Sequence, residues 1–533
     1  NRRTHNCRYS RKAESRITPE GDFLNTKFYK NCDTSELTEA AEILKNGGLV
    51  AIPTETVYGL AANAYNGEAV SKVFEAKGRP TDNPMIVHIS KLEEIHPLVT
   101  DFPEKAKALA EAYWPGPLTM ILPKSDLVPR EVAPRLETVA VRMPSHPIAR
   151  KIIELAGVPL AAPSANSSGS PSPTTAQHVL NDLDGKIDAI VDGGECDVGI
   201  ESTVITLATD VPRLLRPGGI TLQQLEAVLG HVDVDPAVLS ELKEGVAPAS
   251  PGMKYKHYSP KAEVYIVEGS LESFKFLIDS EYKDGDMALC FNGEETDIPV
   301  TCLSFGDEND LDSQAHLLFA QLRKFDELGA KRVFVRAPSN EGVGLGVYNR
   351  LLRAAAFKVI KPPVIYGLTG QTGAGKSTVG EILSEKGYLI VDGDVAARAV
   401  VEKGSPVLKE LADAFGSDIL DENGELIRAA LAKKAFLTEE NRQKLNSITH
   451  PAVTKWAIDF VKENLNESHK GVIVDAAAIF DSDIKRYCSK MIVVTAPEEE
   501  RLARILSRDG ITEEAAMLRI KAQKDEQYYK ERA

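Results

Sequence analysis

At 533 residues the chain is too long for one hydrophobic core, so three or four domains are expected. Its composition is globular, 43% hydrophobic and 26% charged, and a formal charge of −15 argues against a protein built to coat nucleic acid, though not against a local basic cleft. No apolar run reaches the about 18 residues of a membrane-spanning helix. The six cysteines (Cys7, Cys32, Cys196, Cys290, Cys302, Cys488) show no Cys-x-x-Cys spacing. They read as reduced thiols of a cytoplasmic protein rather than as a disulfide framework or zinc site.

In chain order, residues 1–27 carry Arg2, Arg3, Arg8, Arg11, Lys12 and Arg16 without apolar periodicity, which predicts a disordered basic leader. The chain starts at Asn1 and stops at Ala533 without a terminating pattern, as expected of a fragment of a longer reading frame. From Ser35, apolar residues at Leu37, Ala40, Ala41 and Leu44 predict a helix ending at Gly47-Gly48. A buried strand, Leu49–Ile52, is stopped by Pro53 and followed by a hydroxyl-rich loop, Pro53-Thr-Glu-Thr-Val-Tyr-Gly59. A helix over 69–76 runs into Lys77-Gly-Arg-Pro80, then a strand ending near His88. Further strands are expected at 118–122, 139–142, 158–162, 189–191, 202–206 and 213–219. The irregular interleaving of strands and helices over 28–235 predicts a mixed-sheet α/β or α+β domain rather than a βαβ repeat.

Residues 236–260 read as an interdomain linker, but its run Lys254-Tyr-Lys-His-Tyr258 is too aromatic for a mere spacer and predicts docking as a lid. Residues 261–360 alternate strands and helices, a small Rossmann-like α/β domain with a glycine-rich loop, Ser339–Asn349, of open role. Lys361-Pro-Pro363 is a stiff joint. Beyond it, over 364–533, a short strand, Gly370-x-x-x-x-Gly375-Lys376-Ser377 and a helix follow in the order a phosphate-binding P-loop requires. Backbone N–H groups of Gly373, Ala374 and Gly375 would cradle the phosphates and Lys376 would reach the β/γ oxygens. Ser377 would ligate Mg²⁺, and Thr378 follows in the helix N-terminus, which adds partial positive charge. This predicts a parallel-sheet P-loop kinase domain that binds ATP. Val391-Asp-Gly-Asp394 ends the next strand in two carboxylates, a base or a magnesium-orienting pair, with a helix-capping Asp as the bland alternative. Arg501, Arg504 and Arg508 share one helix face, suited to a lid over phosphate or simply solvated.

In the first domain the strand ends and loops collect Thr56, Lys77, Arg79, Asn83, His88, Thr138, Arg142, Ser164, Ser172, Ser202 and Arg216. Four cations among hydroxyls, with no metal cluster and no Ser/His/Asp spacing, point to an anionic ligand. Taken alone, Lys77-Gly-Arg-Pro80 is also the pattern of a solvated surface turn.

Pro53-Thr-Glu-Thr-Val-Tyr-Gly, Lys77-Gly-Arg-Pro-x-x-Asn-Pro-x-x-x-His88, Ala162-Pro-Ser-Ala-Asn, Glu201-Ser-Thr-Val, Leu215-Arg-Pro-Gly and the 250–260 linker together resemble the two-domain threonylcarbamoyl-AMP synthases over about residues 28–360. The resemblance implies that L-threonine, bicarbonate and ATP give L-threonylcarbamoyl-AMP and pyrophosphate, for threonylcarbamoyladenosine in tRNA. It implies threonine contacts at Thr56, His88, Arg142, Ala162 and Ser202. ATP would be held by Lys77, Arg79, Asn83, Thr138, Ser164, Ser172 and Arg216, with Tyr255 and Tyr258 closing over it. Downstream tRNA threonylcarbamoyl-transferase proteins are the implied partners.

The P-loop, Val391-Asp-Gly-Asp-Val-Ala-Ala-Arg398, Asn423-Gly-Glu-Leu-x-Arg428 and Leu445-Asn-x-Ile-Thr-His-Pro451 resemble dephospho-CoA kinase. That resemblance implies Asp394 as base on the ribose 3′-hydroxyl, Arg398 and His450 as dephospho-CoA contacts, and Arg504 and Arg508 as lid residues. Two departures stand out: alanines at 476–478 where the family keeps proline and leucine, and an end before the family's last strand. A bifunctional cytoplasmic enzyme, with no stable nucleic-acid binding, is expected. The rival reading is a non-catalytic RNA-binding first domain with another small-molecule P-loop kinase.

Overall fold

The structure, a computed structural model, describes residues 25–240 and 257–533. Most of the expected leader and linker, and Tyr255 with them, lie outside the described residues. The chain forms two compact units. One takes residues to Ile266 with 285–295 and 300–359; the other takes 267–284, 296–299 and 360–533.

The first unit is built on an eleven-stranded sheet. Strand Ile86–His88 runs parallel to Thr138–Arg142, which is antiparallel to Leu118–Pro123, which is parallel to Thr203–Thr206. This is the mixed sheet expected from the irregular strand spacing. Helices cover both faces, so central strands read as continuous apolar runs rather than alternating ones. Along Val50–Ile52 the period of two still operates. Val50 and Ile52 join one core with helices Thr34–Lys45 and Pro147–Ala156, while Ala51 joins the other with helices Gly67–Lys77 and Glu104–Tyr113.

Register, more than any helix, builds the cleft. His88 lies opposite Arg142, Arg142 opposite Thr119, and Leu118 opposite Thr203. Four sequence-distant segments are thereby brought to one level of the sheet.

The same unit holds a five-stranded sheet in the order Thr301–Ser304, Asp286–Cys290, Arg332–Arg336, Glu263–Val267, Val359–Ile360. Helices Leu311–Leu328 and Gly344–Ala354 pack on it through Leu318, Phe319, Phe325, Val347 and Leu351. Strand Thr301–Ser304 lacks alternation because it is a partly exposed edge, and the sequence reading passed over it. It runs parallel to Asp286–Cys290, which brings the sulfurs of Cys302 and Cys290 next to each other.

The second unit has four parallel strands in the order Leu389–Asp392, Val472–Asp475, Ile365–Gly370, Cys488–Val494. Helix Lys376–Glu385 follows the loop after Ile365–Gly370. Helix Leu271–Glu281 belongs to this unit although it precedes Pro362-Pro363 in the chain. Its Phe276 joins the core against Tyr487, ring centroids 5.9 Å apart, and its Asp279 accepts a hydrogen bond from the Tyr487 hydroxyl.

Phe319 is fully buried in the first unit, 5.3 Å from the Tyr258 ring. Phe319→Ala leaves a cavity there and is expected to lower that unit's stability by about 3–5 kcal/mol. Chemical denaturation would measure this, and a loss under about 1 kcal/mol would contradict the packing described.

Two candidate active sites

The first cleft forms where the register gathers strand ends and loops. Its walls come from Thr54, Thr56, Arg79, His88, Arg142, Ala162, Ser164, Glu201, Ser202, Arg216, His257 and Tyr258. Arg142 lies at its centre. Its Nη1 donates to Thr56 Oγ1 at 2.8 Å, its Nε donates to the Gly116 carbonyl at 3.3 Å, and its Nη2 is 2.7 Å from Glu55 Oε1. Ser202 Oγ pairs with Thr119 Oγ1 at 2.8 Å and accepts from Arg216 Nη2 at 3.1 Å.

Lys77 ends helix Gly67–Lys77, and Gly78 caps it in the left-handed region at φ 61°, so that the chain reverses and sends both Lys77 and Arg79 inward. Lys77 Nζ donates to the Ser164 and Asn166 carbonyls, and Arg79 Nη2 to the Pro84 carbonyl at 3.0 Å. Arg79 Nε and Asn83 Oδ1 are buried with no hydrogen-bond partner among the described residues. Lys77, Arg79, Arg142 and Arg216 are only 3–7% exposed. That decides against the solvated turn and against a surface for a polyanion.

Concentrated burial sets the electrostatics. Desolvation, with Arg79 nearby, pushes the Lys77 ammonium well below the ordinary lysine range. Burial also lowers Arg79 to about 10. His88 falls to about 3 through burial and the Arg142 charge, so it is neutral at physiological pH, with its Nδ1 3.2 Å from the Ile86 carbonyl. His257 also falls to about 3, chiefly through burial. Burial alone would raise Glu55 and Glu201, but Arg142 beside the first, and Arg350 and Arg216 beside the second, hold both below the usual carboxylate range.

In the second unit the loop 371–375 turns between strand and helix with Gly373 at φ 80° and Gly375 at φ 101°. A Cβ on Gly373 would lie 2.7 Å from the Arg501 carbonyl, so glycine is required there. A cleft lined by Gly373, Gly375, Lys376, Ser377, Thr378, Asp394, Arg504 and Arg508 opens over the loop. Lys376 Nζ contacts Asp475 Oδ1, and Arg504 Nη1 donates to the Gly373 and Ala374 carbonyls at 3.2 and 3.1 Å. Of the two carboxylates weighed from sequence, Asp392 is the helix cap, accepting from the N–H of Asp394 at 2.8 Å and of Val395 at 3.0 Å. Asp394 is left for chemistry. It lines both the phosphate cleft and an adjoining apolar pocket walled by Val401, Leu411, Leu431 and Ala476–Ala478 with Arg428 and His450.

Of the residues expected at the first site, Thr56, Arg79, His88, Arg142, Ala162, Ser164, Ser202, Arg216 and Tyr258 line one cleft, with Lys77, Asn83 and Ser172 buried beside it. Thr138 stands at the far end of the strand that ends in Arg142, about 13 Å away at strand spacing, and does not line the cleft. In the second site Arg398 is exposed on the helix that carries Asp394 and does not line the pocket. Arg501 is no lid residue: it is 4% exposed, and its Nε donates to the Thr372 carbonyl at 3.0 Å. Sequence reasoning assigned no role to Glu55, Glu201, His257 or Gln523. Glu55 and Glu201 stand inside recognised motifs, and a carboxylate flanked by hydroxyls before an apolar strand was the available signal. Gln523, whose Oε1 accepts from the Thr372 N–H at 2.8 Å, offered none.

Family models match three stretches of the chain: one described as "Telomere recombination" over residues 42–218, one described as "Threonylcarbamoyl-AMP synthase, C-terminal domain" over 220–356, and one described as "Dephospho-CoA kinase" over 364–533. The chain is 48% identical over 331 residues to the threonylcarbamoyl-AMP synthase of Bacillus subtilis, across 61% of this chain and 94% of that protein. It is 43% identical over 157 residues to the dephospho-CoA kinase of Corynebacterium glutamicum, across 30% of this chain and 78% of that protein. It is similar to the crystal structure of Pyrococcus abyssi Sua5 complexed with L-threonine, at 43% identity and a TM-score of 0.59, covering 63% of this chain and 99% of that one.

Because His88, His146, His178 and His257 all have folded pKa values below the ordinary 6.5, the unfolded chain binds protons that the folded one refuses. Their contribution to stability is complete above about pH 6.5 and is lost as the pH falls towards the folded values, at up to about 1.4 kcal/mol per pH unit for each proton. The depressed carboxylates Glu55 and Glu201 add to the loss only below about pH 4.5. Denaturation midpoints measured between these limits should therefore fall with pH, and His88→Asn should reduce the slope by about one proton.

Proposed function

The chain belongs to the threonylcarbamoyl-AMP synthase family over residues 42–218 and 220–356 and to the dephospho-CoA kinase family over 364–533, and from that premise we propose how its residues carry the two reactions. In the first, L-threonine, bicarbonate and ATP give L-threonylcarbamoyl-AMP, pyrophosphate and water. In the second, ATP phosphorylates the 3′-hydroxyl of dephospho-CoA.

For the synthase, the observation that carries the reading is the set of four buried cations around one hydroxyl-rich cleft. Arg142 and Thr56 hold the threonine carboxylate, and neutral His88, Ala162 and Ser202 complete its site. Lys77, Arg79 and Arg216, with Asn83, Ser164 and Ser172, take the triphosphate and draw charge onto the departing pyrophosphate as a carboxylate oxygen of N-carboxy-threonine, formed from the threonine amine and bicarbonate with loss of water, attacks the α-phosphorus. Tyr258, 2% exposed against the cleft, keeps water from the labile carbamoyl intermediate. Proteins that transfer threonylcarbamoyl to tRNA consume the product.

For the kinase, Asp394 at the junction of the phosphate cleft and the apolar pocket is the base on the acceptor hydroxyl. The pocket holds the rest of dephospho-CoA, with His450 and Arg428 on its wall. Lys376 serves the β/γ oxygens, and Arg504 and Arg508 cover the transferring phosphate. The Ser377 hydroxyl on the same cleft is a hard oxygen donor that would fit Mg²⁺ arriving with the nucleotide. Mg²⁺ there supplies charge neutralisation on the phosphates. Among the described residues no helix is long and apolar enough to cross a membrane, and we place both reactions in the cytoplasm.

Pyrophosphate release from ATP should require threonine and bicarbonate together and fall at least about 100-fold in Lys77→Ala or Arg79→Ala. Release independent of threonine would overturn the synthase assignment of the cleft. Asp394→Asn should lower CoA formation about 100- to 10,000-fold while threonine-dependent release continues. An unchanged kinase rate would remove Asp394 as the base.

A further inference from the structure

The glycine-rich segment 339–349 resembles a phosphate loop in composition, but its glycines serve close packing. A Cβ on Gly346 would lie 2.9 Å from Ile200 Cδ1 and 3.4 Å from Gly218 Cα, so helix Gly344–Ala354 presses directly on the two loops that flank Ser202 and Arg216. The helix then turns polar side chains into that contact. Asn349 Nδ2 donates to the Val238 carbonyl at 2.7 Å, and Arg353 Nη2 donates to the Ala237 carbonyl.

Between them Arg350 is fully buried. Its Nε donates to Glu201 Oε2 at 2.9 Å, its Nη2 donates to the Glu201 carbonyl at 3.0 Å, and its Nη1 donates to the Pro217 carbonyl. Glu201 Oε1 accepts from the Ser172 hydroxyl, and Ser202, the next residue, accepts from Arg216. One guanidinium thus fastens backbone and side chain of Glu201 and the loop leading from Arg216. The Tyr258 ring lies 6.0 Å away, on the cleft side.

We infer that Arg350, carried by the small α/β part of the first unit, is a positioning residue of the synthase reaction: it holds Glu201, and through it Ser172, Ser202 and Arg216, in the arrangement the cleft needs. This gives the second half of the synthase region a chemical task, and it rests on the synthase reading above. A buried forked cation suits the task because it satisfies a carboxylate and two carbonyls with fixed geometry, which an ammonium cannot. The charged and titratable groups facing Glu201 are Arg350, Arg216, Lys77, His257 and Tyr258. Arg350 stands first among the cations that offset its burial.

The test is threonine- and bicarbonate-dependent pyrophosphate release by the full chain, followed along the acid limb of its pH profile. Arg350→Gln, with folding checked by a thermal midpoint above the assay temperature, should lower kcat about 10- to 100-fold. It should also move the acid limb to higher pH, because Glu201 loses the charge that keeps it ionised. Arg350→Lys should restore the acid limb and part of kcat. In the Arg350→Gln, Glu201→Gln double variant the loss should not exceed that of Glu201→Gln alone. Wild-type kcat, KM and acid limb in folded Arg350→Gln would overturn the inference, as would equal losses in the Gln and Lys variants with an unmoved limb. Should Arg350→Gln fail to fold, the Lys and Glu201→Gln variants decide: wild-type kinetics in either, once folded, overturns it. A wild-type chain that releases no pyrophosphate with threonine would instead bring down the synthase reading, and this inference with it.

Discussion

Charge held out of water needs a partner, and the first unit is organised by that constraint. Glu55 and Glu201 lose their hydration on folding, and each is met by a buried guanidinium, Arg142 in one case and Arg350 in the other. Removing one member of such a pair typically costs about 3–5 kcal/mol, whereas an exposed pair such as Lys107–Glu104 contributes about 0–1 kcal/mol. The buried pairs therefore fix the geometry, and the many surface pairs do not. They also let cations gather in one cleft: Arg142 sits close to both Arg216 and His88, with Glu55 beside Arg142 and Glu201 beside Arg216. A cleft with its charges already in place then exists before any ligand arrives, which is the preorganisation that catalysis by electrostatics requires.

The second unit meets the same difficulty with backbone rather than carboxylates. Its phosphate loop is shaped by carbonyls that accept from Arg501 and Arg504, and by Gln523, which bonds both the N–H and the hydroxyl of Thr372. Those contacts tie down the carbonyl oxygens of Thr372, Gly373 and Ala374. Asp394 then stands between a polar cleft and an apolar pocket, where one acceptor can be gripped by its non-reacting part and offered to phosphate by its reacting part. The alanines at 476–478 line that pocket.

The two sites use ATP at opposite ends of the triphosphate, and their machinery differs accordingly. A P-loop helix grips β- and γ-phosphates around the transferred group. Transfer to the α-phosphate needs instead a wider set of fixed cations and two oriented reactants, and no P-loop occurs in the first unit among the described residues.

Much of this was legible without coordinates. Val50–Ile52, Leu118–Pro123 and Thr138–Arg142 are strands because their apolar runs allow little else, and helix Leu222–Leu229 begins at Thr221, whose capping box with Gln224 is a local signal. The P-loop declared itself through glycine spacing, which backbone conformation dictates residue by residue. Local order of this kind is written in neighbours along the chain. What only the tertiary structure decided involves partners far apart in sequence: the inward turn of Lys77 and Arg79, Arg501 bound to Thr372 instead of facing a ligand, Cys290 set beside Cys302 at a sheet edge, and Arg350 placed on Glu201 across 149 residues. The physical reason is that burial sets the value of a charged side chain, and burial is a property of the assembled fold. An arginine at 142, 350 or 501 looks the same in the sequence; the register of a sheet and the close approach of a glycine-bearing helix determine which of them lines a cleft, which holds a carboxylate behind it and which shapes a loop.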